Sequence, residues 1–394
     1  MSKGVVTILV FVFLISCKTD TGSQSSEVDN GGLVKVEPGV SSRFSFLLNY
    51  QPDSLCFPRS QETDGQVRCV PSSDWTSGFL PGTLVYLSEL TGNDEFLLRA
   101  EEWLPYLEKE KNNARTHDMG FKINCSFGNA YRVTGKEEYK EVIVESANTL
   151  STRYDSVVGC IKSWDFGKDQ WQFPVIIDNM MNLELLFEAT KITGDSSYHN
   201  IAVSHADNTL KNHYRSDKSS YHVIDYSTES GEVVQHLTHQ GYDAESVWSR
   251  GQAWGLYGFT MAYRYTQSQA YLDHALKIAE FILNQENQPE DLIPYWDLKD
   301  PSIPNSPRDA SAAAVIASAL LELNSYEPVE QLSAAAFTII QNLSSDNYAL
   351  DVADNTPFIL DHSTGNMPKS DEVDVPINYA DYYFLEALFR LQNQ

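Results

Sequence analysis

The sequence predicts an all-α fold, a closed ring of helical hairpins, with an open α-solenoid as the alternative. Two observations lead there. One local pattern recurs along the chain, and each copy joins two amphipathic helical stretches through a tight turn. Between the copies lie long loops rich in aromatic residues and Gly, which a ring would gather at one mouth. No linker rich in Pro, Gly or Ser interrupts residues 45–390, so a single domain is expected there.

The copies are "LSELTGNDEFLLRAEEWL" from Leu87, "AYRVTGKEEYKEVIVESANTL" from Ala130 and "FEATKITGDSSYHNIAVSHADNTL" from Phe187. A degenerate copy without the Gly, "AYRYTQSQAYLDHALKIAEFIL", starts at Ala262. In each, a helix ends at a Thr-Gly turn, and a polar residue and an aromatic open the next helix. Apolar residues on both sides follow i, i+3, i+4 spacing. The copies are unequally spaced, which argues against a regular short-period solenoid. The loops are "DWTSGFLPG", "THDMGF", "KSWDFG", "HQGYDAESVWSRGQAWG" and "PYWDLKDPSIPNSPRDAS". Short strands are expected around "YHVIDY".

The N-terminus reads as an export signal. Lys3 precedes an apolar run over residues 5–15, and "LISC" ends at Cys17 in a sequence resembling the bacterial lipobox. That resemblance implies a lipoprotein signal peptide over 1–16, lipidation of Cys17 and a flexible polar tether over 17–44. It places the protein in the bacterial cell envelope, periplasmic or on the outer membrane, with the lipid anchor as its membrane contact. No other segment is long and apolar enough to cross a bilayer.

Of the 394 residues, 42% are hydrophobic and 12% aromatic, and the formal net charge is -26. That charge argues against a nucleic-acid surface, which needs clustered Lys and Arg. It does not exclude a small anionic ligand, because local charge decides that. The chain has five cysteines. Cys56 and Cys69 bracket a short polar loop, where an oxidising compartment would permit a bridge. Cys125 and Cys160 read as buried thiols. No C-x-x-C supports a zinc knuckle.

The chain lacks a phosphate-binding G-x-x-x-x-G-K-[ST], an H-E-x-x-H and a G-x-S-x-G. "HLTH", with His236 and His239, has metal-like spacing for a helix but no nearby Glu or Cys, so it reads as a pair of polar loop histidines, and no metal and no cofactor are expected. Asp178 in "VIIDNMMNLELL" is the strongest candidate for chemistry, because apolar neighbours on both sides raise a carboxyl's pKa. The plain alternative is a helix N-cap with a low pKa. Asp118 in "THDMGF", beside His117, is the second candidate, and its plain alternative is a turn aspartate. Trp75, Trp164, Trp171, Trp248, Trp254 and Trp296 all fall in or beside the loops. Indoles stack on the C–H faces of sugar rings, so this clustering beside Asp, Gln, His and Arg points to a carbohydrate cleft.

These motifs, with "EVDVPINYADYYFLEAL", resemble glycoside hydrolase family 88, the unsaturated glucuronyl hydrolases. The likeness runs from about Asn49 to the C-terminus in the family's motif order, and "SRGQAWG" and "DNMMNL" are its most specific parts. The resemblance implies an (α/α)6 barrel with the catalytic domain over 45–394. It implies a substrate too: the unsaturated uronate-containing oligosaccharide left by an upstream polysaccharide lyase, with a C4=C5 double bond on its non-reducing sugar. Asp178 would be the general acid/base and Asp118 the second catalytic aspartate. Trp75 and Trp254 would stack on or wall in the unsaturated ring. Trp164 would extend that wall, with Trp171 close enough in sequence to leave the choice open. His222, Gln240 and Arg250 would be polar contacts to the sugar or its carboxylate.

The chain departs from the family in "HSTGNMPKSDEVD", where Met367 stands at a position often held by Lys and the nearest basic residue is Lys369. That region would read sulfate or the next sugar. Competing readings are an unsaturated rhamnogalacturonyl hydrolase with the same barrel, a non-catalytic glycan-binding lipoprotein, and an inverting glycosidase of saturated glycans.

Overall fold

The recurrent Thr-Gly pattern is a helix stop. Helix α1 (Phe79–Thr91) ends at Gly92, which takes the left-handed conformation at φ 69° and donates its N–H to Ser88 O. Asn93 then accepts from Glu95 N and starts α2 (Asp94–Leu107). The same device ends α3 (Asn129–Thr134) at Gly135 before α4 (Glu137–Ser151), and α5 (Asn179–Thr193) at Gly194 before α6 (Ser196–Asn212). In the degenerate copy, Gln267 adopts φ 55° between α7 (Ser249–Thr266) and α8 (Gln269–Leu283), so the turn survives loss of its Gly. Asp309 caps α9 (Ala310–Tyr326), which α10 (Glu330–Leu343) and α11 (Asn378–Gln392) follow.

A computed structural model describes Phe44, residues 46–351 and residues 356–394, and these belong to one compact unit. The expected signal peptide (1–16), Cys17 and the tether before Phe44 lie outside the described residues. Among the described residues, no helix is long and apolar enough to cross a membrane.

The helices close on themselves. The inner ring runs from α1 through the π-helical segment Gly120–Gly128 with α3, then α5, α7, α9 and α11, and back to α1. Helix α9 is buried on almost every side, as an inner helix must be. Helix α8 buries only the stripe of Tyr271, Leu272, Ala275, Ile278, Ala279 and Ile282, as an outer helix should. The architecture is the expected (α/α)6 barrel.

Each inner helix starts at one mouth and turns at the other. The far mouth opens into a cavity of about 1300 Å³ lined by Arg132, Glu184, Arg264, Glu322, Glu386 and Arg390. Its ions pair with one another, Arg264 with Glu184 and Glu322, and Arg390 with Glu322 and Glu386. This is a structural network, away from the residues the sequence marks for chemistry.

Short antiparallel strands trim the first mouth. Strands β1 (Phe57–Gln61) and β2 (Val67–Val70) form a hairpin with a Cys56–Cys69 disulfide at its base. Strands β3 (Tyr154–Asp155) and β4 (Cys160–Ile161) form another. A three-stranded sheet has the order β5 (Pro174–Ile176), β6 (Val223–Tyr226), β7 (Val233–Leu237). Strands β8 (Ser363–Asn366) and β9 (Asp371–Val375) form the last hairpin. Strand β6 falls in "YHVIDY", as expected. Cys125 and Cys160 are free and buried.

His236 and His239, read from the sequence as a pair of polar loop histidines, are divided: His236 lies on strand β7 and packs 4.1 Å from Tyr221 between ring centroids, and His239 lies in the loop beyond it. The alternating half-buried and exposed pattern of "VVQHL" is that of a strand, and a strand does not bring i and i+3 to one face. Among the described residues, no group of three or more His, Cys, Asp or Glu side chains is arranged to hold a metal.

Candidate active site

Asp178 stands at the N-cap position of α5, yet its side chain makes no cap hydrogen bond. The preceding strand aims it. Strand β5 pairs with β6 in the register Ile176↔Val223, and Ile177 N donates to His222 O at 3.1 Å. The chain therefore delivers Asp178 and His222 to one point. Asp178 is buried at 8% exposure, and its Oδ2 has no hydrogen-bond partner. Burial pushes its carboxyl up to about 7; the Arg250 charge opposes that, Asp118 adds to it, and the Trp254 indole N–H pulls it back down.

His222 has a defined tautomer. Its Nδ1 accepts the backbone N–H groups of His239 and Gln240, both at 3.1 Å. The ring proton must then sit on Nε2, which lies 3.8 Å from Asp178 Oδ2. The ring packs on Trp248 at 4.6 Å between centroids. Burial holds the imidazole well below its ordinary pKa, and His239 and Arg250 push the same way, so it is neutral.

Asp118 comes from the turn before the π-helical segment. Thr116 Oγ1 donates to its Oδ2 at 2.7 Å, and its Oδ1 lies 3.1 Å from His117 Nε2. The segment sits close to α5: a Cβ on Gly120 would meet Asn182 Cα at 2.6 Å. Asn182 Oδ1 accepts from Phe121 N at 3.0 Å, which locks the two elements bearing the aspartates.

The aromatic residues form two walls. Phe121 stands between Trp75 (5.4 Å) and Trp254 (5.3 Å), and Trp75 also contacts Tyr379 at 5.0 Å. In a second group, Trp164 stacks on Phe166 at 4.9 Å with 14° between planes, and His239 packs against both. Trp164 is partly exposed, while Trp171 is buried edge-on behind it, so Trp164 is the one with a face to offer. Trp248, Trp254 and Trp296 are buried too. Trp254 lies inside α7 and not in a loop, and Trp296 bonds Asp300 Oδ2 from its Nε1 at 2.7 Å.

Arg250 is a fully buried strut. Its Nη1 donates to Asp309 Oδ2 (2.6 Å) and Thr364 O (2.5 Å), and its Nη2 donates to Gly365 O (2.5 Å). Only Nε lacks a partner. Gln240 Nε2 reaches the same Gly365 O at 3.2 Å. At the outer rim, Lys369 Nζ is 3.0 Å from His239 Nε2.

The structure thus gathers Asp118, Asp178, Trp75, Trp164, His222, Gln240, Arg250 and Trp254 at the mouth where the inner helices begin. Several buried polar atoms here have no protein partner: Asp178 Oδ2, His222 Nε2, Trp254 Nε1, His117 Nε2 and Tyr379 Oη. Unpaired polar atoms occur elsewhere in the molecule too, but these five gather around the two aspartates, where they are free to bond a ligand. Sequence reasoning missed Ser163, Phe121, Asp309 and Gly365. Asp309 directly precedes a helical Ala-rich run, a readable cap signal. Ser163 carries no local signal.

Residues 57–352 match Glycosyl Hydrolase Family 88. The chain belongs to that family. It is 52% identical over 391 residues to an unsaturated glucuronyl hydrolase of Formosa agariphila, covering 98% of this chain and 97% of that one. It is 30% identical to an unsaturated chondroitin disaccharide hydrolase of Streptococcus pyogenes, covering 85% of each. Among solved structures, an unsaturated glucuronyl hydrolase specific for heparin superposes with a TM-score of 0.87 at 47% identity, over 90% of this chain and 95% of the other. The family 88 chain is a glycoside hydrolase of the unsaturated glucuronyl hydrolase class.

Proposed function

We propose that the enzyme removes the 4,5-unsaturated uronate from the non-reducing end of lyase-generated glycosaminoglycan oligosaccharides by hydrating the C4=C5 enol ether, with Asp178 as general acid and base. The observation that carries this reading is the Asp178 carboxyl itself: buried, unpaired at Oδ2 and raised to about 7. A carboxylic acid half-protonated near neutral pH can give a proton and then take one back.

The chemistry needs no second carboxylate flanking the scissile bond, unlike ordinary glycosidases. The ring oxygen pushes electrons toward C4. Asp178 delivers its proton to C4, and positive charge develops at C5 and the ring oxygen. The ionised Asp178 takes a proton from water as the water oxygen bonds to C5. The resulting hemiketal opens to a ketone at C5 and a hemiacetal at C1, which expels the rest of the chain as an alcohol. One water is consumed for each sugar released.

The other residues take roles suited to their surroundings. Asp118, held by Thr116, accepts ring hydroxyls and faces the developing charge. The Trp75–Phe121–Trp254 wall covers one face of the ring. His222 offers its Nε2–H and Gln240 its amide to polar groups of the uronate, while Arg250 acts through its charge, since its terminal nitrogens already hold Asp309, Thr364 and Gly365. The Trp164–Phe166–His239 wall and Lys369 receive the next sugar and its anionic substituents. The likeness to the heparin-specific enzyme favours heparin-type products over chondroitin-type ones. Cys17 carries a lipid and holds the enzyme at the cell envelope.

The test is to incubate purified enzyme with lyase-generated disaccharides from heparin, chondroitin and hyaluronan and follow the ultraviolet absorbance of the double bond. Loss of absorbance with release of a free reducing sugar is expected, fastest on heparin-type substrates. Cleavage of saturated glycans without that loss indicates an ordinary glycosidase, and binding without turnover indicates a glycan-binding protein. Cys17→Ser should release the protein from the membrane fraction, and unchanged anchoring would defeat the lipid-anchor reading.

A further inference from the structure

Arg59 is the extra residue of a β-bulge. Strand β1 pairs with β2 as Pro58↔Cys69 and then Ser60↔Arg68, so Arg59 faces no partner across the ladder. A bulge of this kind re-aims its side chain. The hairpin is docked on both sides of the bulge. Gln61 N donates to Pro376 O at 3.2 Å, just ahead of α11, and Asn378 Nδ2 donates to Pro58 O (2.9 Å) and Thr76 O (3.1 Å).

The re-aimed guanidinium grips two segments that reach the site. Its Nε and Nη2 hold the Glu372 carboxylate as a fork, at 2.7 and 2.6 Å, and its Nη1 donates to Asp74 Oδ2 at 3.0 Å. Asp74 adjoins Trp75, and its other oxygen accepts from Thr76 N and Oγ1, so the turn that carries the indole is tied on both sides. The guanidinium itself lies 5.8 Å from the Trp75 ring.

Glu372 is where that grip is needed. It has φ 55°, a left-handed conformation that is costly for a residue with a side chain, and its side chain is 1% exposed. It sits across from Gly365, between the pairs Thr364↔Val373 and Asn366↔Asp371. The contact is tight: a Cβ on Gly365 would come within 2.7 Å of both Cβ and Oε2 of Glu372. The Gly365 carbonyl is the one that accepts from Arg250 Nη2 and Gln240 Nε2. A strained residue persists where its surroundings over-determine it, and the Arg59 fork does so here.

We infer that Arg59 is a positioning residue for substrate binding: its fork keeps Glu372 folded onto Gly365, and so keeps Gln240 in place, while its remaining nitrogen steadies the Trp75 turn. Neither route runs through the proton donor. Arg250 is also held by Asp309 Oδ2 at 2.6 Å, outside the β8–β9 hairpin, so its charge stays near Asp178 when the fork is lost. Loss of Arg59 therefore weakens binding and spares the chemistry.

The inference deepens the proposed function and rests on its reading of Gln240 and Trp75 as sugar contacts. It does not require Asp178 to be the acid.

The test compares Arg59→Lys, which keeps a cation but not the fork, with Arg59→Met, which leaves Glu372 facing Arg68 alone. On the lyase-generated heparin disaccharide both should raise KM by about tenfold, with kcat within roughly threefold of wild type and the alkaline limb of the kcat profile unmoved. Should thermal melts show Arg59→Met unfolded, Arg59→Lys, whose charge is retained, carries the comparison. A lower melting temperature with a wild-type KM would make the clamp a support of the fold alone and overturns the inference. A loss confined to kcat overturns it too. A second readout needs no turnover. In the Asp178→Asn background, calorimetric titration with the same disaccharide should show affinity weakened by about tenfold when Arg59→Lys is added. Equal affinities there overturn the inference even if Asp178 is the acid. Retained turnover in Asp178→Asn alone would instead overturn the acid/base reading, leaving the KM comparison to stand by itself.

Discussion

His222 points its only ring N–H at Asp178, 3.8 Å away, because two backbone N–H groups hold its other nitrogen as an acceptor. The loop carrying His239 and Gln240 is therefore tied to the ring that faces the acid. His222→Phe keeps the stacking on Trp248 but orphans both backbone donors. It should destabilise the protein by about 1–3 kcal/mol and raise KM as the Gln240 loop loosens. Thermal melts and initial rates check both effects. An unchanged melting temperature would mean the loop is held elsewhere.

Asp178→Asn should lower kcat by roughly a thousandfold, while ligand binding survives. The same substitution should stabilise the fold at alkaline pH. Its folded pKa, about 7, lies above the ordinary value of 3.8. Between those values the folded state binds more protons than the unfolded one, so stability falls as pH rises. Above pH 7 the native carboxylate is a buried charge, and its removal should gain on the order of 2–4 kcal/mol. The gain should vanish near pH 4. Melts of both proteins at pH 4 and pH 8 test this, and wild-type turnover should decline as pH rises past about 7.

Arg250 separates charge from shape. Arg250→Met strands Asp309 without its cation, which should cost about 3–5 kcal/mol, and removes the charge that holds the Asp178 pKa down. In whatever fraction folds, the alkaline limb should move up. Arg250→Lys keeps the charge but cannot hold Asp309, Thr364 O and Gly365 O together. It should leave the limb in place while weakening substrate binding.

Lys122 and Glu110 form a fully buried pair at 3.2 Å just behind Asp118, and Glu110 also accepts from Ser72 and Asn113. Either Glu110→Ala or Lys122→Ala alone should cost about 3–5 kcal/mol, and the double change should cost less than the sum. Burial alone would raise the Glu110 carboxyl, but Lys122, Asn113 and Ser72 outweigh it and hold it below its ordinary value. The stability it contributes is complete above its ordinary pKa and is lost as pH falls through the lowered folded one. Denaturant titrations at pH 7 and pH 3 check the sign.

Helix stops and core stripes were legible in the sequence because they are local: Thr-Gly followed by a polar residue and an aromatic specifies its own turn. Asp178 was legible because its apolar flanks adjoin it in the chain. The burial of Trp248 and Trp296 was not, since a loop-like sequence does not reveal whether another element covers it. The strand at "VVQHL" was not legible, because His236 was read as a loop residue from its spacing with His239, without the alternation around it. Ser163 was invisible for a deeper reason. Its hydrogen bonds reach Pro174, Ile176, Asn179 and His117, and nothing within a few residues of it records that convergence.

The bonds of Arg250 span 59, 114 and 115 positions of the chain. During synthesis the guanidinium is therefore made long before its partners. Until the ribosome has released Asp309 and the Thr364–Gly365 hairpin, the nascent chain has no guanidinium fixed near Asp178. Activity should switch on only when the final inner helix seats against the first, so a chain truncated before residue 364 should be inert however well its early hairpins fold.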